Sequence, residues 1–167
     1  IDVASQRKIA EAVPALLKLA RSDNATTREM AIKALGATAR LEHLSDFISL
    51  AINMQGSADS SVVSAALQSA CVRMPQEACA EELSGAMSGA STAGKVLLLE
   101  QLRLVGGTTA LKTVVAAARS DDDAMQNAAT RLLGAWRTAD AAPDLLDLSN
   151  ALANGKYQIR AIRGYIR

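Results

Sequence analysis

Two distant stretches of this chain repeat the same wording. "RSDNATTREMAIKALGA" begins at Arg21 and "RSDDDAMQNAATRLLGA" at Arg119. In each, an Arg-Ser-Asp triplet is followed, fourteen residues after its Arg, by Leu-Gly-Ala, and the two copies are offset by 98 residues. A third pair, "PALLKL" at Pro14–Leu19 and "PDLLDL" at Pro143–Leu148, is offset by 129. Three units of about 33 residues make the first offset and four of about 32 the second, so one period of roughly 32 residues underlies both. A repeat of this length is one supersecondary unit that cannot bury its apolar face alone and must stack on its neighbours. That constraint narrows the fold to an array.

Each unit reads as two helices. The spacing predicts pairs at 6–21 and 26–40, 42–54 and 60–73, 76–88 and 93–105, 108–119 and 122–137, and 141–153 and 156–166. Leu16, Leu17 and Ala20 share one helical face, as do Met30, Ala34 and Leu35. Half of the 167 residues are hydrophobic but only 2% are aromatic. Alanine and leucine carry the apolar content, and such small or unbranched helix formers let helices approach closely, which points to an all-α fold. Gly56-Ser57, Gly106-Gly107 and Asn154-Gly155 mark turns. Asp23, Asp59 and Asp121 stand just ahead of second helices, where a side-chain oxygen can cap free N–H groups.

Pro-x-Leu-Leu-x-Leu in a first helix, an Asp-bearing turn, and a second helix ending in Ala-Leu-Gly-Ala together resemble a HEAT repeat. The motifs are Pro14–Leu19 with Ala34–Ala37, and Pro143–Leu148 with the final helix. The fourth unit has Lys112 where the proline would stand, and the third carries Ser84-Gly85 and Ser88-Gly89 inside its first helix. The resemblance implies a right-handed α–α superhelix, a solenoid of about five HEAT-like hairpins, spanning 1–167 as a single domain. The final helix, "KYQIRAIRGYIR", also resembles terminal repeats of exported bacterial HEAT proteins, some joined to carbohydrate-active domains. This favours an exported or periplasmic location and a segment of a longer protein. The opening "IDVASQRK" lacks a signal peptide's apolar segment. No apolar run reaches the ~18 residues of a membrane span.

The motifs specify packing, and the search for chemistry returns little. Asp121, Asp122 and Asp123 are consecutive, whereas a calcium loop needs carboxylates converging from alternating positions around a glycine turn, so helix capping is the better account. His43 is the one histidine, beside Glu42 and Asp46, and reads as a surface polar residue. Metal-dependent hydroxylases of HEAT-like build carry paired His-Glu motifs, and this chain has no His-Glu dipeptide. HEAT-like DNA glycosylases line a cleft with aromatics, and here Phe47, Trp136, Tyr157 and Tyr165 are the whole set. Cys71 and Cys79 flank Pro75 symmetrically, four residues on either side, and are either a disulfide or two buried thiols. Trp136 ends a second helix and is either inter-repeat core or a ligand-stacking residue.

Charge is divided unevenly. The second helices, with their flanks, carry twelve basic against two acidic residues, while the first helices carry six against nine, within a formal net charge of +1. In HEAT-like solenoids the second helices line the concave surface, so the resemblance implies a basic concavity. Arg160, Arg163 and Arg167 fall at i, i+3 and i+7 of the last helix. A basic groove favours an acidic peptide, an anionic glycan or a phosphate backbone, while the near-neutral net charge argues against nucleic acid. The expectation is a non-catalytic module or scaffold that binds a protein or a neighbouring domain of its parent chain, without cofactor or metal. Its partner-binding residues are Lys33, Arg73, Arg103, Arg131, Trp136, Arg137, Arg160 and Arg163. The alternative is an accessory domain of a bacterial carbohydrate-active or other enzyme.

Overall fold

Ten α-helices follow one another along the residues that the computed structural model describes, which are 1, 9–152 and 155–167. They are α1 (Val13–Leu19), α2 (Ala25–Thr38), α3 (Leu44–Asn53), α4 (Ser60–Cys71), α5 (Gln76–Gly85), α6 (Thr92–Val105), α7 (Thr108–Ala118), α8 (Asp123–Leu133), α9 (Ala142–Ala151) and α10 (Gly155–Ile166). No strand occurs among the described residues, and no helix there is long and apolar enough to cross a membrane. The five expected pairs are all present.

Their ends differ from expectation for local reasons. Residues 6–8 of the first expected helix lie outside the described set, as do 153–154 with the Asn154 half of a turn signal. The chain then makes a 3-10 turn at Ala10–Ala12 and enters α1 at Val13. Pro14 and Pro143 each sit in the first turn of a helix, where a missing N–H leaves nothing unsatisfied. The third unit's first helix stops at Gly85 and tightens into a 3-10 turn, Ala86–Gly89. Its Ser-Gly pairs are poor helix formers. α8 ends at Leu133 rather than 137, which places Trp136 and Arg137 in the loop that follows.

The caps also move. Asn24, not Asp23, caps α2 by accepting from the Thr27 N–H at 2.9 Å. Asp122, not Asp121, caps α8, accepting from Ala124 and Met125 at 2.9 and 3.2 Å. Both caps have φ −76° and ψ 113°, the extended geometry that aims a short side chain back at the first turn. Asp59 stands at the N-cap of α4 with ψ near 0°, and makes no cap bond. It accepts instead from Arg28 Nε.

Packing follows chain order. Each helix lies against its hairpin partner, and the second helices form a continuous series, α2 on α4, α4 on α6, α6 on α8 and α8 on α10. The first helices do the same from α1 through α3 and α5 to α7. Between α7 and α9 contact is slight. An open gap of about 490 Å³ lies there, with Lys112 and Arg119 on one wall and Asp140 and Asp144 on the other. One hydrophobic core runs through all the hairpins, including Leu35, Phe47, Leu67, Leu98, Leu133 and Tyr157. At the far end, Ile159, Ile162 and Ile166 of α10 are exposed.

The repeated glycine of Leu-Gly-Ala marks where second helices cross. A Cβ on Gly36 would lie 2.8 Å from the Ala66 carbonyl oxygen in α4. In the fourth and fifth hairpins the same crossing brings Gly134 against Gly164, but here a Cβ on Gly164 would lie 2.9 Å from the Gly134 Cα, while one on Gly134 finds nothing nearer than 3.5 Å. Gly36→Ala and Gly164→Ala should therefore each cost about 1–3 kcal/mol, the cost of overpacking a close contact. Gly134→Ala should be neutral or slightly stabilising, because alanine is the better helix former. Urea denaturation of the three variants checks the order.

Candidate functional site

Several polar side chains link one hairpin to the next, and they decide which cations remain available. Arg28 bonds Asp59 and the Ser22 carbonyl. Arg73, just beyond α4, donates to the carbonyls of Gly36 at 2.6 Å and Ala39 at 3.3 Å, filling acceptors left open at the end of α2. Arg103 donates to the Ala135 carbonyl at 3.4 Å, past the end of α8. Tyr157 is fully buried and donates its hydroxyl to Asp123 Oδ1 at 2.6 Å, and that hydrogen bond raises its pKa above the ordinary tyrosine value. Arg160 donates to Asn127 at Oδ1 (2.6 Å) and at the carbonyl (3.2 Å).

The eight expected partner residues thus divide. Arg73 and Arg103 serve carbonyls at helix ends. Lys33 pairs with Glu29 at 2.6 Å, both exposed, at the edge of a shallow depression beside Val62 and Ala65 in the first two hairpins. Arg131, Arg160 and Arg163 come together, and Arg167 joins them around a cleft of about 280 Å³ floored by Thr130 and Gly164. Trp136 and Arg137 line a second cleft of about 270 Å³ with Tyr165 and Leu145. The two clefts share Gly134, Gly164 and Arg167, so they meet over the α8–α10 crossing.

Four arginines line this cleft and, among the described residues, no acidic side chain does; Arg131 has Glu100 Oε1 at 3.7 Å, with both side chains well exposed. A pair this long and this wet contributes little. Arg160 is held in place by Asn127, while Arg163 and Arg167 are exposed. Thr130 spends its hydroxyl on the Gln126 carbonyl at 2.8 Å. Arg160, Arg163 and Arg167 were legible as one face of a helix. Arg131 lies on a different helix, and Tyr165 was missed because nothing in its local sequence sets it apart.

Elsewhere the polar groups are structural. Glu77 at the start of α5 accepts from the N–H groups of Thr108 at 2.7 Å and Thr109 at 3.1 Å, capping α7 from outside. Gly107, at φ +89°, lets the chain pass so close that a Cβ would lie 2.6 Å from Glu77 Oε1. Those backbone bonds hold the Glu77 carboxyl below its ordinary value of 4.5. His43 is half-buried in the turn before α3, its Nδ1 3.4 Å from the Arg40 N–H. Cys71 and Cys79 are both buried free thiols, and the placement about Pro75 brings them near enough to influence each other's titration. The neighbouring Cys79 and burial push the Cys71 thiol up. Trp136 is half-buried, packed on the core on one side and open to its cleft on the other. Among the described residues no group of three or more His, Cys, Asp or Glu side chains is placed to hold a metal ion.

Compared with the models of known protein families and with curated proteins, the chain matches none.

Two outcomes follow from this division of labour. Arg73→Ala should lose about 1 kcal/mol, the usual net worth of such hydrogen bonds. Arg163→Ala should change stability by no more than about 0.5 kcal/mol, as for an exposed side chain without a structural task. Equal losses in chemical denaturation would contradict the assignment. Glu77 sets a pH dependence. Its folded pKa is depressed, so the unfolded chain takes up a proton first as pH falls. Its stabilisation is complete above the ordinary range near pH 4.5 and fades below it. In Glu77→Gln the thermal midpoint should be lower at neutral pH, and its decline from pH 5 to 3 should be shallower by the Glu77 share.

Proposed function

We propose that this chain is a HEAT-like right-handed α–α superhelix that works as a non-catalytic interaction module, presenting basic side chains of its second helices to an anionic partner. The partner is a protein or a neighbouring domain of the parent chain. The observation that carries the reading is the cleft between α8 and α10, lined by Arg131, Arg160, Arg163 and Arg167 and, among the described residues, by no acidic side chain. A chain of formal net charge +1 does not place four guanidinium groups together by excess of charge. Their mutual repulsion costs stability unless an anion offsets it. The repeat period, the five hairpins and the ordered packing of second helices on second helices support the HEAT-like part of the reading.

Binding is favoured over catalysis by the company Trp136 keeps. Its cleft is lined by Arg137 and Arg167 and, among the described residues, by no acidic side chain to serve as acid or base. Arginine stays protonated across the working range and serves to hold anions.

The test is a titration with polyglutamate, polylysine, an anionic polysaccharide and duplex DNA, each at low and near-physiological salt. Polyglutamate should bind at low salt, weaken as salt rises and lose affinity about tenfold when Arg131 and Arg163 are both changed to Ala, while polylysine stays unbound. Failure of every anion to bind at low salt would overturn the proposal. Preference for the polysaccharide or DNA would replace the protein partner.

A further inference from the structure

The two clefts over the α8–α10 crossing differ in chemistry and share three residues. One holds the four arginines; the other holds Trp136, Tyr165 and Leu145 beside Arg137. Neither is large. At about 280 and 270 Å³ each takes one or two side chains. Arg167 lines both, so a group bound in one lies within a residue or two of a group bound in the other. We propose that this composite site binds a short linear peptide segment in which two or three acidic residues adjoin one large apolar residue. The carboxylates sit among Arg131, Arg160, Arg163 and Arg167, and the apolar side chain enters the cleft against Trp136 and Tyr165. The idea rests on the basic-surface reading above and assigns it a place and a ligand class.

The geometry selects this ligand in three ways. Guanidinium groups offer paired N–H donors that match a carboxylate, and Arg160 is already oriented by its two bonds to Asn127. An aromatic pocket next to a cluster of arginines takes an apolar side chain and orders it, which is how a few anchors come to dominate a small interface. The basic surface is also local. Asp121, Asp122 and Asp123 lead into α8, and Asp140, Asp144 and Asp147 lie on the first-helix side of the fifth hairpin. A long polyanion running along the second helices from the cleft toward the start of α8 meets the first three of these carboxylates, whereas a segment of a few residues held in the cleft at the other end of α8 does not reach them. This favours a peptide over a nucleic acid.

Trp136 is the only tryptophan, so its fluorescence reports this site alone. Two peptides of equal charge serve as probes, Glu-Glu-Leu-Glu-Glu and Glu-Glu-Gly-Glu-Glu, each blocked at both ends. The leucine peptide should bind about tenfold tighter or more, the advantage of burying one large apolar side chain. It should shift the Trp136 emission, and Trp136→Ala, read by isothermal titration calorimetry, should remove its advantage without abolishing binding. Arg163→Glu with Arg167→Glu should weaken both peptides about tenfold or more, whereas Lys33→Glu, distant in the first hairpin, should leave both unchanged. Equal binding of the two peptides with no change in emission would overturn the composite site and leave the basic-surface reading standing. Loss of binding in Lys33→Glu but not in the arginine pair would also overturn it, by moving the site. No binding of either peptide at low salt would overturn the composite site, and the basic-surface reading with it where polyglutamate, the polysaccharide and DNA also stay unbound. Circular dichroism of each variant verifies that the helices persist, so that a weakened peptide is a lost contact.

Discussion

The two ends of this array depend on second helices crossing at points where almost no side chain intervenes. Gly36 against Ala66 and Gly164 against Gly134 bring two backbones closer than a Cβ would allow. Close crossing lets the neighbouring leucines and alanines interlock, and it puts the ends of adjacent helices within reach of one another's polar side chains. Arg73 reaches the last turn of α2, and Arg160 reaches Asn127. A wider crossing would leave those carbonyls to water and the arginines to solvent. The hydrophobic contact and the polar links are therefore parts of one arrangement, set by the size of one residue in each pair.

Such links join only nearest neighbours. Among the described residues, the main helix contacts of each hairpin are with the one before it and the one after. Stability is then shared out joint by joint. The joints are not alike: Glu77 ties the third hairpin to the start of the fourth, Arg28 with Asp59 ties the first to the second, and Tyr157 with Arg160 ties the fourth to the fifth.

Much of the architecture was legible because the period is written in leucine, alanine, proline and glycine, residues whose effect on the chain is local. Pro14 and Pro143 start helices wherever they are read, and Gly106-Gly107 turns the chain. The caps were read one residue early, since Asp23 and Asn24, or Asp121 and Asp122, are equally suited by type and differ only in backbone angle. The roles of the arginines were less legible. Arg73 and Arg163 look alike in sequence, yet one fills carbonyls more than thirty residues away and the other faces solvent. Which it does is decided by crossing geometry, and crossing geometry is a property of two helices. For the same reason Arg131 and Arg163 could be named singly, while the cleft they share with Tyr165's neighbour pocket could not be drawn.

The slight contact between α7 and α9 has a mechanical meaning. The fifth hairpin is fastened along one edge, where α10 lies on α8, and stands off along the other, where the gap faces Lys112 and Arg119 with Asp140 and Asp144. A body attached along one edge turns most easily about that edge. A rotation of the fifth hairpin would change the width of the gap most and the Gly134–Gly164 contact least, much as a door moves farthest at its free side. The arginine cleft lies beside the axis, with Arg131 on the fixed leaf and Arg160, Arg163 and Arg167 on the moving one, so the angle of the last hairpin and the spacing of those four charges are a single coordinate.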